Sequence, residues 1–272
     1  MNPSFLPLAL ALSFSAQASA LTLAPQHAGL YLDGDGTNSR WVQVAEGWRG
    51  SIHAGEEWGT GIWGLADHDL IIGLDQGAPK VKRTLETVVD EINFADQWFI
   101  EEWSATWGSA ELVPLFHGEG RGAKAQDNWA SRFWGYIAIP EAGAYNFGVL
   151  SDDGFRFTLM GANGASASIY QDGLNPRDRL GFSSDLLLDP GLYGFQLDAY
   201  ERLEAGVVQL SWWTPDAVEW SVLPGSRLYS GLPDRSTTPS VRAVPEPPVP
   251  LLLLAGLAAL GLAARQRRQR ES

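Results

Sequence analysis

Two carboxylates stand side by side at Asp152 and Asp153, inside the stretch LSDDGFRF (residues 150–157), whose first basic residue is Arg156. Three chemistries suit the pair. At a turn both side chains can simply face water, because Asp-Gly is a favoured turn dipeptide. Alternatively they hold a calcium ion, which takes six to eight oxygens from carboxylates, amide side chains, backbone carbonyls and water. The acidic stretch QDGLNPRD (171–178) would then offer Asp172, Asn175 and Asp178 as further ligands. The third chemistry is glycoside cleavage, in which two carboxyl groups flank a bond about 5–9.5 Å apart. Neighbours at one turn do not easily straddle a sugar, and Glu101-Glu102 in FIEEW has the same limitation. Adjacent residues of a regular strand point to opposite faces, so convergence of both carboxylates demands a special backbone at this turn.

The rest of the composition narrows the chemistry. The chain has no cysteine, which removes thiol catalysis, zinc-thiolate sites and disulfides. Its four histidines, His27, His53, His68 and His117, are scattered without the close spacing of a zinc site. The stretch DGDGTN (33–38) begins like a calcium loop, but Asn38 stands where the glycine belongs and no glutamate closes the loop. A tight surface turn is the better reading. The formal net charge is −13, with arginines concentrated near the C-terminal end. Such a surface repels nucleic acid and anionic lipid and favours cations. Twelve tryptophans suit either a β core or sugar stacking. Trp134 and Trp212 lie in strand-like runs and are expected in the core, whereas Trp48, Trp58 and Trp63 lie in Gly-rich segments and are candidates for exposure.

The elements that would position the aspartates read as strands. Tyr145, Phe147 and Val149 share one face, as do Phe155, Phe157 and Leu159 beyond the turn, and Tyr193, Phe195, Leu197 and Ala199 further on. FWGYIAI (133–139) and VVQLSWW (207–213) are further strands, separated by Pro/Gly turns. The expectation is an all-β sandwich or barrel. Before residue 111 the pattern is weaker. WVQVA (41–45) and DLIIGL (69–74) read as strand-like, and Thr84 to Phe94 as a strand or a short helix.

Both ends carry address-like segments. Residues 1–20 are uncharged, with an apolar run from Phe5 to Phe14 and small residues at Ala18 and Ala20, the form of a signal peptide cut by signal peptidase. An exported β domain is expected over 21–232 and a Pro/Ser/Thr-rich linker over 233–244. Residues 249–264 are apolar throughout, about 24 Å long as a helix. They read as a short transmembrane helix for a bilayer core of about 30 Å. Arg265, Arg267, Arg268 and Arg270 follow and place that end in the cytoplasm.

Two resemblances follow from these residues. Pro245, Glu246 and Pro247, then the apolar helix, then the arginine cluster resemble a PEP-CTERM sorting signal over 245–270. The resemblance implies processing by an exosortase and a host that makes extracellular polysaccharide. The protein would then be membrane-anchored first, and at the cell surface or outside the cell after processing. The order FWGYIAIPEAGAYNFGVLSDDGFRFTLMG, LLLDPGLYGFQLDAY, GVVQLSWWTP resembles a protective antigen (PA-14) domain over about 111–232. That resemblance implies a β-barrel of two packed sheets. It also implies glycan binding or assembly rather than catalysis. In glycan-binding members the Asp-Asp peptide is cis and both carboxylates hold calcium, which makes Asp152 and Asp153 the candidate metal ligands here. The expected function is non-catalytic binding of extracellular polysaccharide, with calcium as the candidate cofactor and no nucleic acid partner. A matrix-assembly protein and a glycoside-active enzyme are the alternatives.

Overall fold

The computed structural model describes residues 20–50, 60–117 and 126–233. The chain divides into compact units Met1–Leu232 and Pro233–Ser272, and the described elements all belong to the first. In chain order these are β1 (Leu21–Leu23), β2 (His27–Ala28), β3 (Thr37–Val44), α1 (Leu65–Ile71), β4 (Val81–Val89), β5 (Asn93–Ala95), α2 (Gln97–Glu102), α3 (Ser104–Trp107) and β6 (Glu111–Leu112). Then follow β7 (Trp129–Ile139), β8 (Gly143–Asp152), β9 (Gly154–Met160), β10 (Ser166–Gln171), β11 (Asp178–Gly181) and β12 (Leu186–Leu188). The series closes with β13 (Gly191–Glu201), β14 (Val207–Trp213), β15 (Ser221–Val222) and β16 (Leu228–Tyr229).

Among the described residues the strands form two sheets. The first runs β1-β12-β8-β14-β5-β6, with β11 added to β8 and β15 to β14. The second runs β10-β9-β13-β7-β3-β4, with β2 added to β13 and β16 to β7. No ladder joins them, so the all-β expectation holds as a sandwich and the closed barrel does not occur. The chain passes between the sheets through turns rather than through continuous pairing. One open edge is covered locally: the Gln76 side chain accepts from the Thr84 N–H at 2.8 Å and donates to the Lys82 carbonyl at 3.2 Å.

The predicted inward faces are the core. Tyr145, Phe147 and Val149 of β8 and Val208, Leu210 and Trp212 of β14 belong to one buried cluster with Phe155, Phe157 and Leu159 of β9 and Tyr193, Phe195 and Leu197 of β13. Burying each such side chain contributes about 1.5–3 kcal/mol. The described strands before residue 111 belong to the same sandwich, because β3 pairs with β7 and β5 with β14. Trp41 of β3 meets Phe94 and Phe133 edge-on, with ring centroids 5.4 and 5.2 Å apart.

Several expectations are corrected. DLIIGL begins inside α1, where Leu65, His68 and Ile71 recur every three residues and are buried on one helical face. Of the two readings of Thr84 to Phe94 the strand holds, in β4 and β5 on either side of residues 90–92. Trp48 is buried with Val42, Val44 and Ile62 rather than exposed. Trp134 is only half-buried, because β7 turns it away from the core that holds Phe133. Trp58, Ala18, the Pro245-Glu246-Pro247 motif, the helix 249–264 and the four arginines after it lie outside the described residues. Ala20 is described as exposed chain just before β1. Among the described residues no helix is long and apolar enough to cross a membrane.

Candidate functional site

Asp152 and Asp153 lie where the chain changes sheets. Asp152 is the last residue of β8 and is registered opposite Val207 of β14, in the first sheet. The Asp153 N–H donates to the Tyr200 carbonyl of β13 at 2.9 Å, in the second sheet. The peptide between them is cis, as the resemblance implies. Gly154 follows because a Cβ there would run into the Tyr200 hydroxyl and the Gln171 carbonyl. A second crossing, residues 202–206 between β13 and β14, runs beside the first. The two crossings and the loop 172–177 between β10 and β11 therefore meet at one end of the sandwich.

Each carboxylate is engaged from a different side. Arg177 donates through Nη1 to Asp152 Oδ2 at 2.8 Å and to the Ala205 carbonyl at 3.2 Å. Asp153 Oδ2 accepts the Arg202 backbone N–H at 2.8 Å, and the Asn175 backbone N–H also reaches this carboxylate. Both aspartates are 8% exposed. Burial, reinforced by the Asp153 carboxylate, pushes Asp152 up to about 7 despite Arg177. Burial likewise pushes Asp153 up to about 6 against the Arg202 N–H.

More acid lies behind the pair. Asp96 caps α2 by accepting the Phe99 N–H at 2.8 Å, and its other oxygen accepts the Gly206 N–H at 2.6 Å. Burial pushes its carboxyl up to about 7. Glu201 is fully buried at the end of β13, and burial together with the nearby Asp96, Asp127 and Asp153 carboxylates raises it well above the carboxylate range. It accepts the Asn128 N–H at 3.2 Å.

The loop expected to add acidic ligands adds donors instead. Asp172 Oδ1 accepts the Leu65 N–H at 2.7 Å and so holds the start of α1. The Asn175 side chain donates to the Asp172 and Gly173 carbonyls. Asp178 is exposed, lies in β11 opposite Ser151 of β8 and accepts the Arg179 N–H. Sequence reasoning missed Arg177, Asp96 and Glu201. Arg177 stands in the same QDGLNPRD stretch, which was read for oxygen ligands alone. Asp96 carried a signal, an Asp just before the helical run QWFIEE. Glu201 carried none.

The donor types fit calcium in kind: the Asp152 carboxylate and the Ala205 carbonyl meet at one Arg177 nitrogen, and the Asp153 carboxylate stands on the next residue of the same turn. Trp103, 36% exposed, lies under the Arg177 guanidinium at 4.0 Å. Leu174 and Leu203 are exposed in the two loops that contact the pair.

A second charged cluster, His68, Asp69 and Asp198, brings potential ligand atoms within 4.8 Å of one another. Arginines fill it. Asp198, fully buried on β13, accepts from Arg132 of β7 and from Arg156 of β9, both at 2.6 Å. Arg156 also reaches Asp69 at 2.8 Å, and His68 lies 3.0 Å from the Ser131 carbonyl. Burial pushes Asp198 up, but the arginines and His68 outweigh it and hold the carboxyl below its usual range. This is an ion-pair network that ties α1 to three strands.

Residues 119–163 match the PA14 domain family, a stretch that includes β7, β8 and the Asp-Asp turn. Residues 243–268 match the PEP-CTERM protein-sorting motif, which implies exosortase processing and indicates an exported, surface-sorted protein. No curated protein matches the chain. Similar solved structures include the PA14 domain of the antifreeze protein MpAFP, at 15% identity, 73% of this chain, 92% of that chain and a TM-score of 0.41. Another is the PA14 sugar-binding domain from an RTX adhesin, at 13% identity, 73% and 99% coverage and a TM-score of 0.45. A third is the epithelial adhesin 6 A domain from Candida glabrata in complex with Galb1-3GlcNAc, at 15% identity, 78% and 93% coverage and a TM-score of 0.45.

Proposed function

We propose that this is a non-catalytic glycan-binding protein of the cell surface or extracellular matrix. It grips an extracellular polysaccharide at the Asp152–Asp153 turn with a calcium ion. When bound, calcium would offer open coordination positions to sugar hydroxyls. The protein's own contribution is to hold two carboxylates on one turn at the sheet crossing, with Trp103 stacked on the arginine that pairs with Asp152. The observation that supports the reading is the placement of two buried carboxylates on one turn at the sheet crossing, within the stretch that matches the PA14 family. Their position on adjacent residues of one turn favours binding over glycoside cleavage, which needs two carboxyl groups on opposite sides of a bond. The sorting motif supports the location, with exosortase and signal peptidase as processing partners and the membrane as a transient one.

The test is a glycan array and a polysaccharide co-sedimentation assay on the full chain, with calcium and with chelator. Glycan capture is expected in calcium and should be lost on chelation and in Asp152→Asn. Capture indifferent to both would move the site away from the turn. No capture of any glycan would sink the reading and leave matrix assembly through protein contacts, which concentration-dependent oligomers would reveal.

A further inference from the structure

Arg177 stands where it can oppose the metal. Its Nη1 touches a carboxylate oxygen of Asp152 at 2.8 Å and the Ala205 carbonyl at 3.2 Å. These are two of the oxygen types that calcium takes, one from each sheet crossing. The ion pair is sheltered, with the Arg177 side chain 17% exposed and that of Asp152 11% exposed. The guanidinium plane is further held over Trp103, 4.0 Å from the ring centroid.

We propose that Arg177 is a tethered cation that competes with calcium for the Asp152 carboxylate, so that loading the turn requires this guanidinium to leave. The inference rests on the calcium reading above and adds a threshold to it. A guanidinium cannot vacate the seat by losing its proton, so it can only be displaced. Displacement does not require the loop to unfold. Asp172 and Asn175 anchor the loop upstream by bonds that Arg177 does not share. Arg202, on the other side, is no competitor. It hydrogen-bonds Asp153 through its backbone N–H, while its guanidinium lies over Trp63, donates to the Thr60 carbonyl and acts on Asp153 through charge rather than through a hydrogen bond. The turn is therefore asymmetric: Asp153 is held by backbone donors that a metal can coexist with, and Asp152 by a charge that it cannot.

The experiment is a calcium titration of the full chain by calorimetry, with magnesium as control, on wild type, Arg177→Gln and Trp103→Ala. Removing one charge-assisted bond should tighten calcium in Arg177→Gln by about tenfold. Trp103→Ala frees the guanidinium without removing it and should give a smaller gain. Equal or weaker calcium binding in Arg177→Gln overturns the competition and leaves the calcium reading standing. Absence of calcium binding in all three chains overturns both. Should Arg177→Gln fail to fold, Trp103→Ala decides alone: tighter binding supports the proposal, and unchanged or weaker binding overturns it.

Discussion

Asp96 does two jobs with one carboxylate, capping α2 and clamping Gly206 of the second crossing. Burial raises its folded pKa to about 7, whereas in the unfolded chain a carboxyl titrates near about 3.9. Between those values the native state holds a proton that the unfolded state has lost. Its stabilising contribution is thus fully present below about pH 4 and fades as pH rises towards about 7. Thermal midpoints measured from pH 4 to 8 without calcium should fall along this window, and Asp96→Asn should flatten the fall. A midpoint that rises with pH in wild type, or a slope that the variant leaves intact, would contradict this assignment.

At the scale of elements, α1 is fastened by charge as much as by its apolar face. Asp198 is the shared partner of Arg132 and Arg156, and His68 and Asp69 of α1 join the same network. Asp198→Ala would leave the half-buried Arg132 and Arg156 guanidiniums facing one another, and it should lower unfolding free energy in urea by about 3–5 kcal/mol. A loss below about 1 kcal/mol would put the network among exposed pairs of little worth. The sequence made the central strands legible because period-two patterning in β8, β9 and β13 follows directly from burial on one face. It hid α1, because LADHDLI is short and places buried Asp67 and His68 where a helical pattern would show apolar residues. The carboxylate pair was legible as a pair. Its partners were not, since the Arg177 guanidinium and the Arg202 backbone N–H reach it across 25 and 49 residues of chain.

For the whole molecule, the net charge of −13 would act at long range on a charged polysaccharide. An anionic polysaccharide should bind more tightly as salt rises from about 0.01 to about 0.15 M, because the Debye length falls from about 30 to about 8 Å. A neutral one should be indifferent to this change, as binding isotherms at the two salt levels would show. Binding of the anionic chain that weakens with salt would instead locate the contact on a local basic patch. The end of the described fold bears on a different property. β16 adds only two residues to β7, and Asp35 takes both the N–H and the hydroxyl of Ser230, while Gly34 and Gly36 bond to Ser226 and Leu228. Tension entering through the residues after Tyr229 would load this clasp first. The aspartate turn precedes β9, which is separated from β16 by the long β7–β13 and β13–β9 ladders. A pull from the tail would open a short mechanical fuse and leave the grip intact.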